Sequence, residues 1–379
     1  MKPLLARPAG PVTRQTWTAV VAAGCFVVLA VALALLPVPF VAWRPGTTIN
    51  LLGNNAEDAP AVDVTRIKTY PVNGQLRMTT VSVTRVDAQL SLPEALWAYW
   101  APHRDVLLRE LVYSPNKSVE QVQRDQVAMM DTSKADAVVA ALRAAGQPVQ
   151  VMPQVRSVGV GGPSYNKLQP GDLIERVDQI EVHQPKDVAR IVSGHAVGDP
   201  VVLSVLREQK KLDVTVTTVA SNASRPSQAP SASPTPSGTT SPLARPVPVI
   251  GITTRDGYLF SPEVNYGIDP KVVGPSAGLV FSLAIYDKIT ETDVVAGRDI
   301  AGTGTIKADG DVGPIGGIQE KIAGADDAGS EIFLVPAENC TDLGEVRTDM
   351  VLVKVDALSD AISSLQALAR DEKASVPSC

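Results

Sequence analysis

Histidine and cysteine are scarce. Only His103, His183 and His195 occur among 379 residues, they are unclustered, and neither HExxH nor CxxC is present, so a histidine- or thiolate-built metal centre is close to excluded. Three cysteines cannot staple a small scaffold. Cys25 lies in an apolar run without an evident mate, and Cys340 and Cys379 either pair or stay as separate thiols. No Gly-Lys dipeptide exists, so there is no Walker A loop and ATP-driven work would need another subunit. Positive charge is also in deficit: 34 Lys and Arg against 40 Asp and Glu, a net charge of −6, which argues against a nucleic-acid partner. No cofactor is expected. The length allows two or three domains, each with its own core.

What the chain does have, near its start, is a long uncharged run. Thr18 to Ala42 carries no charged residue and as a helix would cross about 30 Å of hydrocarbon. Trp17 and Trp43 bracket it as interfacial aromatics do, giving a transmembrane helix over 17–43 after a cytoplasmic 1–16. Lys2, Arg7 and Arg14 precede it and only Arg44 follows closely, so the positive-inside bias places everything after Trp43 on the extracellular or periplasm-like side. A cleaved signal peptide is the competing reading. Its usual apolar core of roughly 7–15 residues is shorter than this run.

Beyond the run, 46–53 and 76–87 read as strands, and a helix opens at Ser118, with SVEQ as a capping box and Gly146 as its C-cap. Short strands at 149–158, 173–177, 201–206 and 212–218, with a helix at 185–193, make a β-rich module over 147–219. Residues 220–247 are dense in Ser, Pro, Thr and Ala and read as a mobile linker. From 248 to 370 strands and helices alternate, before a tail at 371–379.

Two segments carry candidate chemistry. Gly274-Pro275-Ser276-Ala277-Gly278 precedes an apolar run, placing Ser276 in the first turn of a helix near unsatisfied N–H groups. Ser276 is there either a plain N-cap or a nucleophile whose oxyanion those groups stabilise. In Gly316-Gly317-Ile318-Gln319-Glu320-Lys321-Ile322, helical spacing puts Lys321 on the apolar stripe with Ile318, Ile322 and Ala325, while Glu320 points elsewhere. Lys321 either snorkels or, desolvated, serves as a general base. No histidine follows residue 195, so a Ser-His-Asp triad cannot be built in this region, and lysine is the remaining base.

GPSAG with its apolar helix, AGTGTIKADGDVGPIGGIQEKIAGADDAG and IFLVPAENCTDL resemble the proteolytic domain of the Lon family over roughly Gly274 to Leu343. The resemblance implies that Ser276 is the nucleophile, Lys321 the base, and Thr303 a threonine placed near the lysine. Thr305 and Val273 stand where the family often has acidic residues, which moves the chain toward an ATPase-free, membrane-anchored branch that contains a PDZ domain. SYNKLQPGDLIERVDQIEV and its flanks resemble a bacterial protease-type PDZ domain, which adds a peptide tail as an extra strand. In that reading Gly146, Gln147 and Pro148 form the carboxylate-facing turn, Val149 and Val151 the receiving strand, and Val188 and Ile191 the facing helix.

The expected fold is therefore α+β: a transmembrane helix, then a Lon-type proteolytic domain built from 44–146 and 248–370, with a β-rich PDZ domain inserted. Met130-Asp131-Thr132-Ser133 resembles the family's Met-x-x-Ser helix and supports joining 44–146 to the later part. The expected function is ATP-independent serine endopeptidase action on polypeptides with extended or C-terminal tails, in a homo-oligomer that the family's ring habit makes a hexamer. The competing function is a non-catalytic PDZ receptor or scaffold whose Lon-like part only assembles.

Overall fold

The computed structural model describes residues 14–207, 209–221 and 247–379, so most of the Ser/Pro-rich 220–247 segment lies outside the described residues. The chain divides into two compact units, Met1–Gly146 with Pro262–Cys379, and Gln147–Ser261.

The first unit opens with α1 (Arg14–Leu35), 22 residues without a buried side chain and about 33 Å long at 1.5 Å per residue. It ends earlier than the 17–43 span read from hydropathy. Pro37 and Pro39 lack the N–H that helix continuation needs, and the chain turns into β1 (Pro37–Val38) and β2 (Phe40–Asn50). Trp43 is accordingly a β-strand residue, opposite Val83, and not an interfacial bracket. There follow β3 (Val62–Thr65), β4 (Gln75–Val83), β5 (Leu90–Ser91), α2 (Leu92–Trp100), β6 (Asp105–Leu108), the single turn α3 (Arg109–Val112) and α4 (Val119–Ala144). Helix α4 starts in a capping box: Gln121 N donates to Ser118 Oγ at 3.3 Å, and Ser118 N donates to Gln121 Oε1 at 2.8 Å. Its last turns, Ala137 to Leu142, are buried.

The second unit contains β7 (Gln150–Val158), β8 (Leu173–Val177), β9 (Ile180–Glu181), α5 (Pro185–Ser193), β10 (Pro200–Arg207), β11 (Lys210–Thr217), β12 (Val219–Ala220), β13 (Pro248–Val249) and β14 (Ile252–Leu259). The main sheet runs β11-β10-β8-β7-β14, with β9 on β8. Inward positions of the alternating strands, among them Val155, Ile174, Val201 and Leu203, meet Val188 and Val192 of α5. Buried Asp172, in the Pro-Gly-Asp turn, takes a two-pronged bond from Arg207, at 2.7 Å to each oxygen. Residues 248–259, expected to open the proteolytic domain, thus belong to this unit, because β14 pairs along the whole length of β7.

The first unit resumes with β15 (Glu263–Tyr266), α6 (Gly278–Ile289), β16 (Asp299–Gly302), β17 (Thr305–Ile306), β18 (Val312–Gly313), α7 (Ile318–Asp327), β19 (Ile332–Pro336), a 3-10 turn at Ala337–Asp342, β20 (Val351–Val355) and α8 (Leu358–Arg370). Its six-stranded sheet is ordered β20-β19-β16-β4-β2-β6. The first four strands are parallel, and β2 and β6 extend the sheet antiparallel. Strands from residues 40–108 and from 299–355 therefore share one sheet, and Arg77 clamps Asp299 across the β4/β16 seam at 2.8 Å. Strand β19 is buried at every position, as a central parallel strand covered on both faces must be.

Cys340 and Cys379 form a disulfide across 39 residues, and Lys354 N donates to Pro377 O at 2.9 Å, so the tail lies beside β20. A loop of that size constrains the unfolded chain by roughly 3–4 kcal/mol. Cys340→Ser is expected to lower unfolding free energy by about that amount, measured by denaturant titration with and without reductant; wild-type protein indifferent to reductant would contradict it.

Candidate active site

The helix expected over 275–289 begins at Gly278, with Ala277 as its N-cap and no side-chain capping bond. Ser276 therefore sits in the turn just before the helix. Its Oγ has no hydrogen-bond partner among the described residues, which removes the plain-cap reading. The turn is held from several sides. Ser133 Oγ of α4 donates to Pro275 O at 2.9 Å, Gly274 N donates to Gln126 O at 3.3 Å, and Gly304 N donates to Ser276 O at 2.9 Å. Gly278 must be glycine: a Cβ there would stand 2.6 Å from Ile306 Cγ2 and 2.7 Å from Ser133 Oγ. These contacts consume the carbonyls of the turn, while the N–H groups of Ser276 and Ala277 have no acceptor among the described residues. They are donors at the positive end of a twelve-residue helix, a suitable environment for a developing oxyanion.

Lys321 lies on α7 and is 1% exposed. It does not snorkel. Its Nζ donates to Thr303 Oγ1 at 2.9 Å, and Thr303 Oγ1 donates to Ser276 O at 3.0 Å. Thr303 is itself fully buried at the end of β16, where the strand expected over 300–307 breaks at Gly304 (φ +153°). Burial pushes the Lys321 ammonium down to about 7, because the charged form loses its water. A substantial neutral fraction at physiological pH is what a lysine base requires. The structure thus brings the segments of Ser276, Thr303 and Lys321 together through an ordered chain of hydrogen bonds.

Two supporting residues were not legible as such in the sequence. Trp43 packs under the glycine pair that opens α7: a Cβ on Gly316 would stand 2.5 Å from its ring, and one on Gly317, at φ +72°, 2.8 Å. Trp43 thereby fixes the entry of the helix that carries Lys321. Its aromatic character was the available signal, but adjacency to an apolar run pointed to a membrane role instead. Glu320, expected to point away from the core, is 1% exposed. Burial, with the Asp105 charge adding to it, pushes its carboxyl up to about 7.

In the second unit the expected peptide-receiving strand is already occupied. Val151 of β7 faces Tyr258 of β14, and Gln150 faces Leu259, so the edge assigned to Val149 and Val151 is filled by the chain's own strand. The assigned turn, Gly146, Gln147 and Pro148, then leads into an interior strand, and Gly146 (φ +66°) only ends α4. Of the facing helix, Val188 is buried in the core, whereas Ile191 is half-buried and packs against that core's margin. The edge strands of this sheet are β11 and β14, and before β14 runs Val249-Ile250-Gly251. Ile250 O accepts from Ser164 Oγ at 2.6 Å and Gly251 O from Gly159 N at 2.9 Å, while the N–H groups of Ile250 and Gly251 have no acceptor among the described residues. The signal was apolar-Gly-apolar directly before a strand, hidden by its distance from the rest of the module.

Residues 260–367 match the Lon protease (S16) C-terminal proteolytic domain, and residues 124–218 match the PDZ domain family. The chain carries a Lon-type proteolytic domain and a PDZ domain. The Lon protease of Campylobacter concisus is 40% identical over 114 residues, covering 29% of this chain and 13% of that protein. Lon protease of Escherichia coli K12 is 40% identical over 102 residues, covering 27% and 12%. The chain thus spans about an eighth of the length of these relatives. Among solved structures, the PDZ domain of the SdrC-like protein from Listeria monocytogenes is 20% identical, with a TM-score of 0.21, covering 27% of this chain and 86% of that one. The Lon match includes Ser276, Thr303 and Lys321, and its proteolytic domain is of the serine-peptidase class. The PDZ match stops at 218, before the strand β14 that completes the sheet.

Proposed function

We propose that this chain is a membrane-anchored, nucleotide-independent serine endopeptidase that recruits polypeptides through its PDZ domain and cleaves them with a Ser276–Lys321 dyad on the exported side. The observation that carries the reading is the buried Lys321 amine, bonded to Thr303, which in turn is bonded to the backbone of the serine. Ser276 Oγ attacks the scissile carbonyl as neutral Lys321 takes its proton, and the N–H groups of Ser276 and Ala277 receive the oxyanion. Lys321 then protonates the leaving amine and, neutral again, draws a proton from the water that hydrolyses the acyl-enzyme. Thr303 positions the amine: its own proton goes to Ser276 O, so a lone pair faces Lys321.

The anchor rests on α1, whose length and apolar composition suit a bilayer. The exported side is supported by the cationic residues before α1 and by the Cys340–Cys379 disulfide, which persists in oxidising compartments. Nucleotide independence is supported by the absence of a Gly-Lys dipeptide. Assembly as a homo-oligomer, in a closed ring of six, fits an enclosed proteolytic chamber. The test is hydrolysis of unstructured peptides by the purified full chain without ATP, compared with Ser276→Ala; strict ATP dependence would refute the nucleotide part. A scaffold without catalysis would show no difference between the two proteins.

Recruitment is assigned to the β14 edge, with the 249–251 turn receiving a terminal carboxylate and Ile191 flanking the tail. Charge-assisted bonds to such a group are worth about 1.5–3 kcal/mol, so amidating the C-terminus of a bound peptide is expected to weaken it roughly 10–100-fold. Fluorescence anisotropy with paired free and amidated peptides checks this; equal affinities would remove the carboxylate role.

A further inference from the structure

Helix α2 has its polarity inverted. Its buried residues are the small Ala95 and Ala98, while Trp97, Tyr99 and Trp100 are 60%, 71% and 74% exposed, and Leu96 is exposed beside them. Leu111, 73% exposed, adds to the apolar surface that follows in the chain. A nine-residue helix gains nothing in water from this arrangement, which leaves three large aromatic rings to solvent. Its position is fixed by α1. Leu92 N, at the start of α2, donates to Leu36 O at 3.3 Å, one residue past the end of α1, and β1 pairs with β5 through Pro37–Ser91 and Val38–Leu90. Trp97 lies five residues along α2 from that bond, hence only about 7–8 Å from the exit of α1 along the axis.

We propose that α2 is a second membrane contact, lying in the lipid interface beside the exit of α1 and holding the proteolytic domain against the bilayer. This rests on the anchor reading of α1. A 22-residue helix matches the hydrocarbon core, so its end near Leu35 marks the boundary, and the zone beyond it is the one in which Trp and Tyr concentrate. Arg104 stacks on Trp97, its Cζ 4.0 Å from the ring centroid, setting a cation where lipid phosphates lie. Beside Leu96 and Leu111, the most prominent residues of this surface, Trp97, Tyr99 and Trp100, are of the interfacial kind, an amphipathic ring with a polar edge. The consequence is geometric: substrates reach the protease near the membrane surface, so polypeptides emerging from the bilayer are presented to it ahead of those free in solution.

The test uses the full chain in liposomes, in a Cys25→Ser background, with an environment-sensitive fluorophore on Trp100→Cys and, separately, on Tyr99→Cys. Ser363→Cys, an exposed position of α8 at the other end of the sheet, is the control. Acyl-brominated lipid is expected to quench the labels at 99 and 100 by about twofold or more and leave 363 unchanged. The two separate sites guard against one substitution disturbing the helix. If both labels stay unquenched while the chain co-floats with liposomes, the anchor stands and the proposal falls. If the labels are shielded but unquenched, and crosslink to a second copy, α2 is an interface between copies and the proposal falls. A chain that does not co-float overturns the anchor reading and the proposal with it.

Discussion

Ser276→Ala and Lys321→Ala should each reduce peptide turnover by about 10³-fold or more, with circular dichroism unchanged, because nucleophile and base act as one unit. Their double variant should be no worse than either alone. Non-additivity of this kind separates a shared chemical step from two independent structural defects. Activity in the wild type should rise with pH through the Lys321 value near 7, as the amine becomes available as a base. The stability sign follows from the same burial. The folded pKa, about 7, lies below the ordinary 10.5, so between those values the unfolded chain binds the extra proton and stability rises with pH; below about 7 both states are protonated and this group adds no slope. Lys321→Met should abolish turnover while flattening that slope and raising neutral-pH stability, since it replaces a desolvated amine with an apolar chain. If Lys321→Ala kept more than a few per cent of turnover, the base assignment would be wrong.

The second large effect concerns folding. A fragment of residues 262–379 is expected to be insoluble or molten on its own, and to be rescued by co-expressed residues 36–146. Strand β16 would lose its parallel neighbour β4, and with it β2 and β6, half of the six-stranded sheet. Helix α6 is buried almost all round, through Leu279, Val280, Phe281, Leu283 and Ile285, and would lose the α4 face on which it packs. Ser133 and Gln126, which hold the Ser276 turn, lie on that same helix. A fragment that is soluble, melts cooperatively and hydrolyses peptides would overturn this dependence. Thermal melts followed by near-ultraviolet dichroism distinguish a packed domain from a collapsed one.

Local patterns were informative wherever a short segment decides its own structure. The capping box at Ser118 and the apolar stripe of α7 each reflect energetics confined to a few neighbouring residues, and the strand read over 76–87 forms but stops at Val83. The identity of Ser276 and Lys321 as candidates came from the same level, since residue type and helical spacing place one in the first turn of a helix and the other on an apolar stripe. The helix boundaries were less secure: the first helix ends eight residues before the expected 43, ahead of Pro37, and α6 starts three residues after the expected 275.

What sequence order could not carry was pairing between distant segments. The edge of β7 looked open because β14, which fills it, comes about a hundred residues later, beyond the Ser/Pro-rich stretch. Glu320 looked solvent-facing on a helical wheel, and Trp43 looked membrane-facing, until α7 was seen against β2 and the glycine pair against the indole ring. The sequence by itself determined the chemical inventory: a serine near helix N–H donors, a lysine on an apolar stripe, no histidine to compete, and one bilayer-length apolar helix. Only the tertiary structure decided that Lys321 is dry, that Thr303 ties it to the serine turn, and that β14 fills the edge of β7. Desolvation and strand pairing are set by what packs from elsewhere in the chain, and no local window contains that information.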